Sequence, residues 1–293
     1  QARLLRQLVQ EDPQPPQTDK PAISARGITG LRIIVTILIL AAVFLGLYGP
    51  AFLKSKAPAS VPIPAEAVNT AITNAAGKTV LVAFEYSPAL AGELNHEAET
   101  LLAQLDAMGS PILITSQYVA GTAVAETITA PYDVVSLGLI PGEAMGIRQL
   151  GICLGENAQV SPCTSLHTRS VGDDLANALS DVSLIIVLTG ERSSLINWVE
   201  QVGVNSDVPI VVGATQALEP VVVPYYASAQ IDGYLNGLPA AIAYQQAYTQ
   251  TIDISAEAQY GAQSLVLLAA AIILLVGGLA FGFTNKENLT NKL

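Results

Sequence analysis

The sequence predicts a three-layer α/β domain of flavodoxin-like or Rossmann-like kind, with a mainly parallel five-stranded sheet, flanked by two transmembrane helices. Three observations predict it. Five short segments are apolar almost throughout and alternate with segments of helical periodicity, the pattern of strands buried on both faces of a parallel sheet. Two much longer uncharged runs bracket them. Between those runs, from Ala57 to Ala262, 20 acidic residues face only 4 basic ones (Lys78, Arg148, Arg169 and Arg192), a net charge of −16 within a chain of −11.

Residues 1–30 read as a cytoplasmic tail, because the stretch EDPQPPQTDKPAI at 11–23 is Pro-rich and suits an extended chain. Residues 31–53 follow as the first span, with no charge from Ile33 to Leu53. The second span covers 262–283, inside an uncharged run from Ala258 to Asn285. About 20 apolar residues in a helix cross the hydrocarbon core. The short flanks set the orientation. Arg3, Arg6, Lys20, Arg26 and Arg32 precede the first span, and Lys286 and Lys292 follow the second. Both termini, including the tail 284–293, are therefore expected in the cytoplasm and the main domain outside it, with Lys54 and Lys56 as the opposing charges. The expected location is the cell membrane, with two passes. Ala42 and Gly46 in the first span, and Gly278 and Gly282 in the second, form small-residue faces suited to close helix packing.

Residues 54–77 contain Pro58, Pro62 and Pro64 and read as a stalk running into a short helix. The α/β domain is expected over 78–250. Its first strand is Thr79–Glu85, followed by a helix over Pro88–Met108 that Ser87 caps and Pro88 opens. Further strands are expected at Pro111–Ser116, Asp133–Ile140, Ser183–Leu188 and Pro209–Val212. Helices are expected at Thr122–Thr129, Gly142–Ile152, Asp173–Leu179, Ser193–Val202 and Ser228–Tyr248, the last leading through a linker at 251–261 to the second span. The apolar stretch LEPVVVPYY at Leu218–Tyr226 suits an edge strand or a packed loop between its prolines, and, where exposed, a protein contact through its tyrosines. Cys153 and Cys163 stand ten positions apart in a polar, Pro-containing stretch; this suits a small disulfide-closed loop outside the cytoplasm, with two unrelated buried thiols as the other reading.

Ligands of open parallel sheets sit at the C-terminal ends of the strands. Those ends place Glu85 and Ser87, Ser116, Thr189 and Gly190, and Thr215 as candidate binding residues. The turns at Ser87 and at Thr189-Gly190 lead into helix N-termini, which attract anions, although every α/β fold has such caps. Glu85 ends an apolar strand, so it either acts as a general base of raised pKa or accepts hydrogen bonds from a neighbouring turn; the second reading is favoured. Glu93, Glu97 and Glu99 lie on a helix with an apolar opposite face and read as solvated charge. His96 is mid-helix and His167 lies near the cysteine loop; each reads as a surface or capping residue.

The motifs of nucleotide and hydrolase chemistry are missing. No glycine-rich dinucleotide fingerprint follows the first strand, whose turn is EYSP, and there is no phosphate-binding P-loop or nucleophile elbow. No His, Cys, Asp and Glu cluster has metal-ligand spacing, so neither a metal nor a cofactor is expected. The acidic domain repels phosphate backbones, which argues against nucleic-acid binding.

EYSP after the first strand, Trp198-Val199-Glu200-Gln201 in a late helix and Pro224-Tyr225-Tyr226 before the last helix together resemble uncharacterised bacterial membrane-anchored proteins with a soluble α/β domain. The resemblance spans most of 79–283 and implies no activity. The expected role is a non-catalytic accessory or scaffold subunit in the lipid bilayer, associating with other membrane subunits or with itself. The competing expectation is an extracytoplasmic ligand-binding or sensing domain that uses the strand ends.

Overall fold

A computed structural model describes residues 61–154 and 179–249, together with residue 270. The described residues form one six-stranded sheet in the order β3-β2-β1-β4-β5-β6, and every pairing is parallel. The strands are β1 (Thr79–Glu85), β2 (Ile112–Ser116), β3 (Val134–Leu139), β4 (Val182–Thr189), β5 (Ile210–Ala214) and β6 (Gly233–Asn236). The α-helices are α1 (Ile63–Asn74), α2 (Ala91–Ala107), α3 (Val119–Ile128), α4 (Glu143–Ile152), α5 (Arg192–Val202), α6 (Glu219–Ala227) and α7 (Gly237–Tyr248). This is the doubly wound, Rossmann-like order, in which chain direction across the sheet reverses between β1 and β4.

The period-2 alternation of the strands splits the core into two apolar layers. Val80, Val82 and Phe84 of β1 face α1, α2, α3 and α7, packing with Ile72, Leu101, Val124 and Tyr244. Leu81 and Ala83 face the other way, toward Ile147 of α4, Leu195 and Trp198 of α5, and Val222 of α6. Central strands β1, β2 and β5 are buried at every position, as continuous apolar runs require. β3 at the sheet edge is only partly covered.

α1 extends the core into the segment expected to serve as a stalk: Ala65, Val68 and Ile72 are buried. Gly233 of β6 makes this possible, because a Cβ there would stand 2.7 Å from the Val68 backbone nitrogen. The first, second and last helices are also tied by side chains. The Tyr244 hydroxyl of α7 donates to Gln104 Oε1 of α2 at 2.5 Å, and Gln104 Nε2 donates to Asn69 Oδ1 of α1 at 2.8 Å.

Two expectations need correction. The sheet has a sixth strand, because Gly233–Asn236 pairs with Val211–Ala214 inside the stretch that reads as one helix over 228–248. Leu218–Tyr226 is neither strand nor loop: α6 is a helix with Pro220 in its first turn. Pro224 stands inside the helix, where its ring removes the backbone donor that would have met the Pro220 carbonyl.

Among the described residues no helix is long and apolar enough to cross a membrane. The segments 31–53 and 262–283, with Ala42, Gly46, Gly278 and Gly282, lie outside the described residues apart from residue 270. So do the Pro-rich tail, Cys163, His167 and residues 173–178. Cys153 is buried at the end of α4 and is disulfide-bonded.

Candidate functional site

The switch point between β1 and β4 is where this fold opens a crevice for ligands. Glu85 ends β1 there, in register with Thr189 of β4. Alternation along β1 turns its side chain to the α5 face, and it is 0% exposed. Four donor contacts converge on it. The Trp198 indole N–H donates to Oε1 at 2.9 Å, and the Gln117 backbone N–H reaches Oε1 at 3.1 Å and Oε2 at 3.2 Å. The Ser194 hydroxyl donates to Oε2 at 3.4 Å. Burial raises the Glu85 pKa to about 7, and the donors, Trp198 first, hold it from rising further. Glu85 thus joins the end of β1 to the turn after β2 and the first two turns of α5.

The other expected residues close on themselves or on their neighbours. The Ser116 hydroxyl accepts the Tyr118 N–H at 2.9 Å and donates to the Tyr118 carbonyl at 3.0 Å. The Thr189 hydroxyl makes the matching loop, accepting the Glu191 N–H at 3.0 Å and donating to its carbonyl at 3.3 Å. Thr215 is buried, its N–H reaching the Thr189 carbonyl at 3.3 Å. Ser87 is half-buried ahead of the short turn Pro88–Leu90 and makes no side-chain cap bond.

Gly190 shows how closely these turns pack. A Cβ at Gly190 would collide with Leu90 Cδ1 and stand 3.0 Å from Thr215 Cγ2. The turns after β1, β4 and β5 therefore meet at this glycine, with the Leu90 side chain packed against it. The N-terminus of α5 suits an anion poorly, since Glu191 occupies its cap position and Glu85 lies against its first turns.

Sequence reasoning missed two participants. Trp198 carried no expected role, yet it is wholly buried and donates to Glu85. Glu97 was expected in solvent and is instead 0% exposed, on the opposite face of the sheet from Glu85. Its position held a signal: it lies three residues after Leu94 and four before Leu101, on the apolar stripe of α2. Glu99 is exposed and Glu93 is half-buried, while His96 is buried rather than at the surface.

At the other end of the sheet lies a shallow groove of about 470 Å³, bounded by Ala67, Thr70 and Ala71 of α1 and by Lys78, Ser183 and Asp232 at the strand starts. Asp232 is committed there, its Oδ2 accepting the Ile210 N–H at 2.9 Å. Among the described residues, no group of three or more His, Cys, Asp or Glu side chains is placed to hold a metal ion. Comparison with family models, with curated proteins and with solved structures finds no match.

Proposed function

We propose that the chain is a non-catalytic, membrane-anchored accessory or scaffold subunit that presents an acidic α/β domain on the extracytoplasmic side. One observation carries the reading: Glu85, the carboxyl best placed for chemistry, is fully buried with both oxygens engaged by Trp198, Gln117 and Ser194. A general base must reach the proton it removes, and this one faces the inside of the domain. Ligand binding at the strand ends would need space beside Gly190, where Leu90 and Thr215 pack closely, so the second reading has less support.

The anchoring part of the proposal rests on the apolar runs at 31–53 and 262–283 and on the basic residues at their outer flanks. Partners are other membrane subunits or further copies of the chain, approached through the small-residue faces at Ala42, Gly46, Gly278 and Gly282. A domain of −16 does not suit nucleic acid.

Affinity capture of the full chain from membranes in mild detergent, followed by mass measurement of the intact particle, tests the role. A stoichiometric assembly larger than the monomer is expected, and a monomer free of partners would sink the proposal. Protease added to intact spheroplasts tests the topology: the α/β domain should be digested, and its full protection would reverse the orientation.

A further inference from the structure

A second buried carboxyl lies at the C-terminal edge of the sheet, on the face away from the Glu85 tie. Neither oxygen of Glu97 has a hydrogen-bond partner. The side chain sits over Gly213 of β5, where a Cβ would stand 2.7 Å from its Oε2 and 2.6 Å from Leu188 Cδ2. One turn earlier on α2, Glu93 Oε1 accepts the Gln216 N–H at 2.7 Å and stands 2.5 Å from where a Cβ on Gly237 would be. Gly213 near the end of β5 and Gly237 just after β6 thus make room for two carboxyls four residues apart on one helix face.

The groups around Glu97 offer it no counter-charge. Its own helix brings the Glu93 carboxyl, and the end of β1 brings Tyr86, whose hydroxyl is buried and bound to Asn95 at 3.1 Å. β4 and β5 present Leu188 and Gly213, and the start of α7 presents the Gly237 N–H, which favours the charged form without reaching good hydrogen-bond geometry. Tyr244, where α7 packs on α2, is committed to Gln104. A buried carboxylate with no counter-charge, and with only the weak approach of one backbone N–H, is among the least stable arrangements in a protein, whereas its protonated form is tolerated.

We propose that Glu97 carries a proton in the folded domain and acts as a proton-sensitive latch between α2 and the turns that follow β5 and β6. Loss of the proton leaves two negative charges on adjacent turns of α2. The ionised side chain regains water when the N-terminal half of α2 lifts from Gly213. Burial is the largest force holding the proton and the Glu93 charge the next.

Hydrogen exchange of the full-length chain, corrected for intrinsic rates and compared at about pH 6 and about pH 9, reads the latch directly. Protection of 91–107, and of the turns after β5 and β6, should fall about tenfold or more at the higher pH. With Glu97→Gln the fall should shrink to less than about twofold, and Glu93→Gln should give an intermediate fall. Because the readout is a difference between two pH values, any constant cost of the buried amide cancels. A wild-type chain whose protection of 91–107 is the same at both values would overturn the proposal. An equal fall in Glu97→Gln, or one confined to β1 and α5 and lost with Glu85→Gln, would assign the effect elsewhere and overturn it as well.

Discussion

Trp198 donates its indole N–H to Glu85 Oε1 at 2.9 Å, linking the second turn of α5 to the end of β1 with both side chains fully buried. Trp198→Phe removes the leading donor and leaves a buried carboxyl short of a partner. Hydrogen bonds to charged groups contribute about 1.5–3 kcal/mol, so a loss of that size is expected in a denaturation curve followed by circular dichroism. Ser194→Ala, which removes the longest of the four contacts, should cost less.

The same carboxyl sets a pH dependence. Burial raises the folded pKa of Glu85 from 4.5 to about 7. A raised acid binds its proton more tightly when folded, so its contribution is fully present below the unfolded value, is lost as pH climbs from 4.5 toward 7, and is flat above that. The displacement corresponds to about 3 kcal/mol. Urea midpoints across this range should fall with pH in the wild type, and Glu85→Gln should flatten that part of the curve.

Gly121 lets α3 lie against the end of β1. A Cβ there would collide with the Phe84 carbonyl oxygen and with Ser116 Oγ. The first is backbone and the second closes the turn after β2, so neither yields easily. Gly121→Ala should cost about 3 kcal/mol, the upper range for overpacking, seen as a lowered thermal midpoint.

Tyr244, Gln104 and Asn69 form a chain from α7 through α2 to α1. Tyr244→Phe leaves the Gln104 carbonyl oxygen unpaired in the core and should cost about 1–3 kcal/mol. A double-mutant cycle with Asn69→Ala should show coupling of at least about 0.5 kcal/mol, since both pairs share Gln104. Additive losses would mean that the two bonds act separately.

Much of the fold was legible because fully buried parallel strands write themselves as continuous apolar runs. Thr79–Glu85 has the bounds expected of it, and β2 to β5 lie within one or two residues of theirs. β6 was hidden by its brevity: GYLN has four residues, and its apolar pair merges with the periodicity of α7. α6 was hidden by composition, because valines between prolines suggest an extended chain until the first-turn place of Pro220 is known. At the site, Glu85 and the favoured reading of it as an acceptor came from strand position. Its partners did not, since Trp198 lies 113 residues away in sequence and only the packing of α5 over β1 brings them together. Glu97 was misjudged by charge although its spacing from Leu94 and Leu101 placed it on the apolar stripe.

The central claim is that Glu85 at the end of β1 is a buried tie to Trp198 and not a free base. Trp198 is the single tryptophan of the chain, so its fluorescence reports on that point alone. In the full-length chain its emission should be blue-shifted, resist aqueous quenchers and show one transition near pH about 7, absent in Glu85→Gln. An indole open to quencher, or an emission indifferent to Glu85→Gln across that range, would contradict the claim.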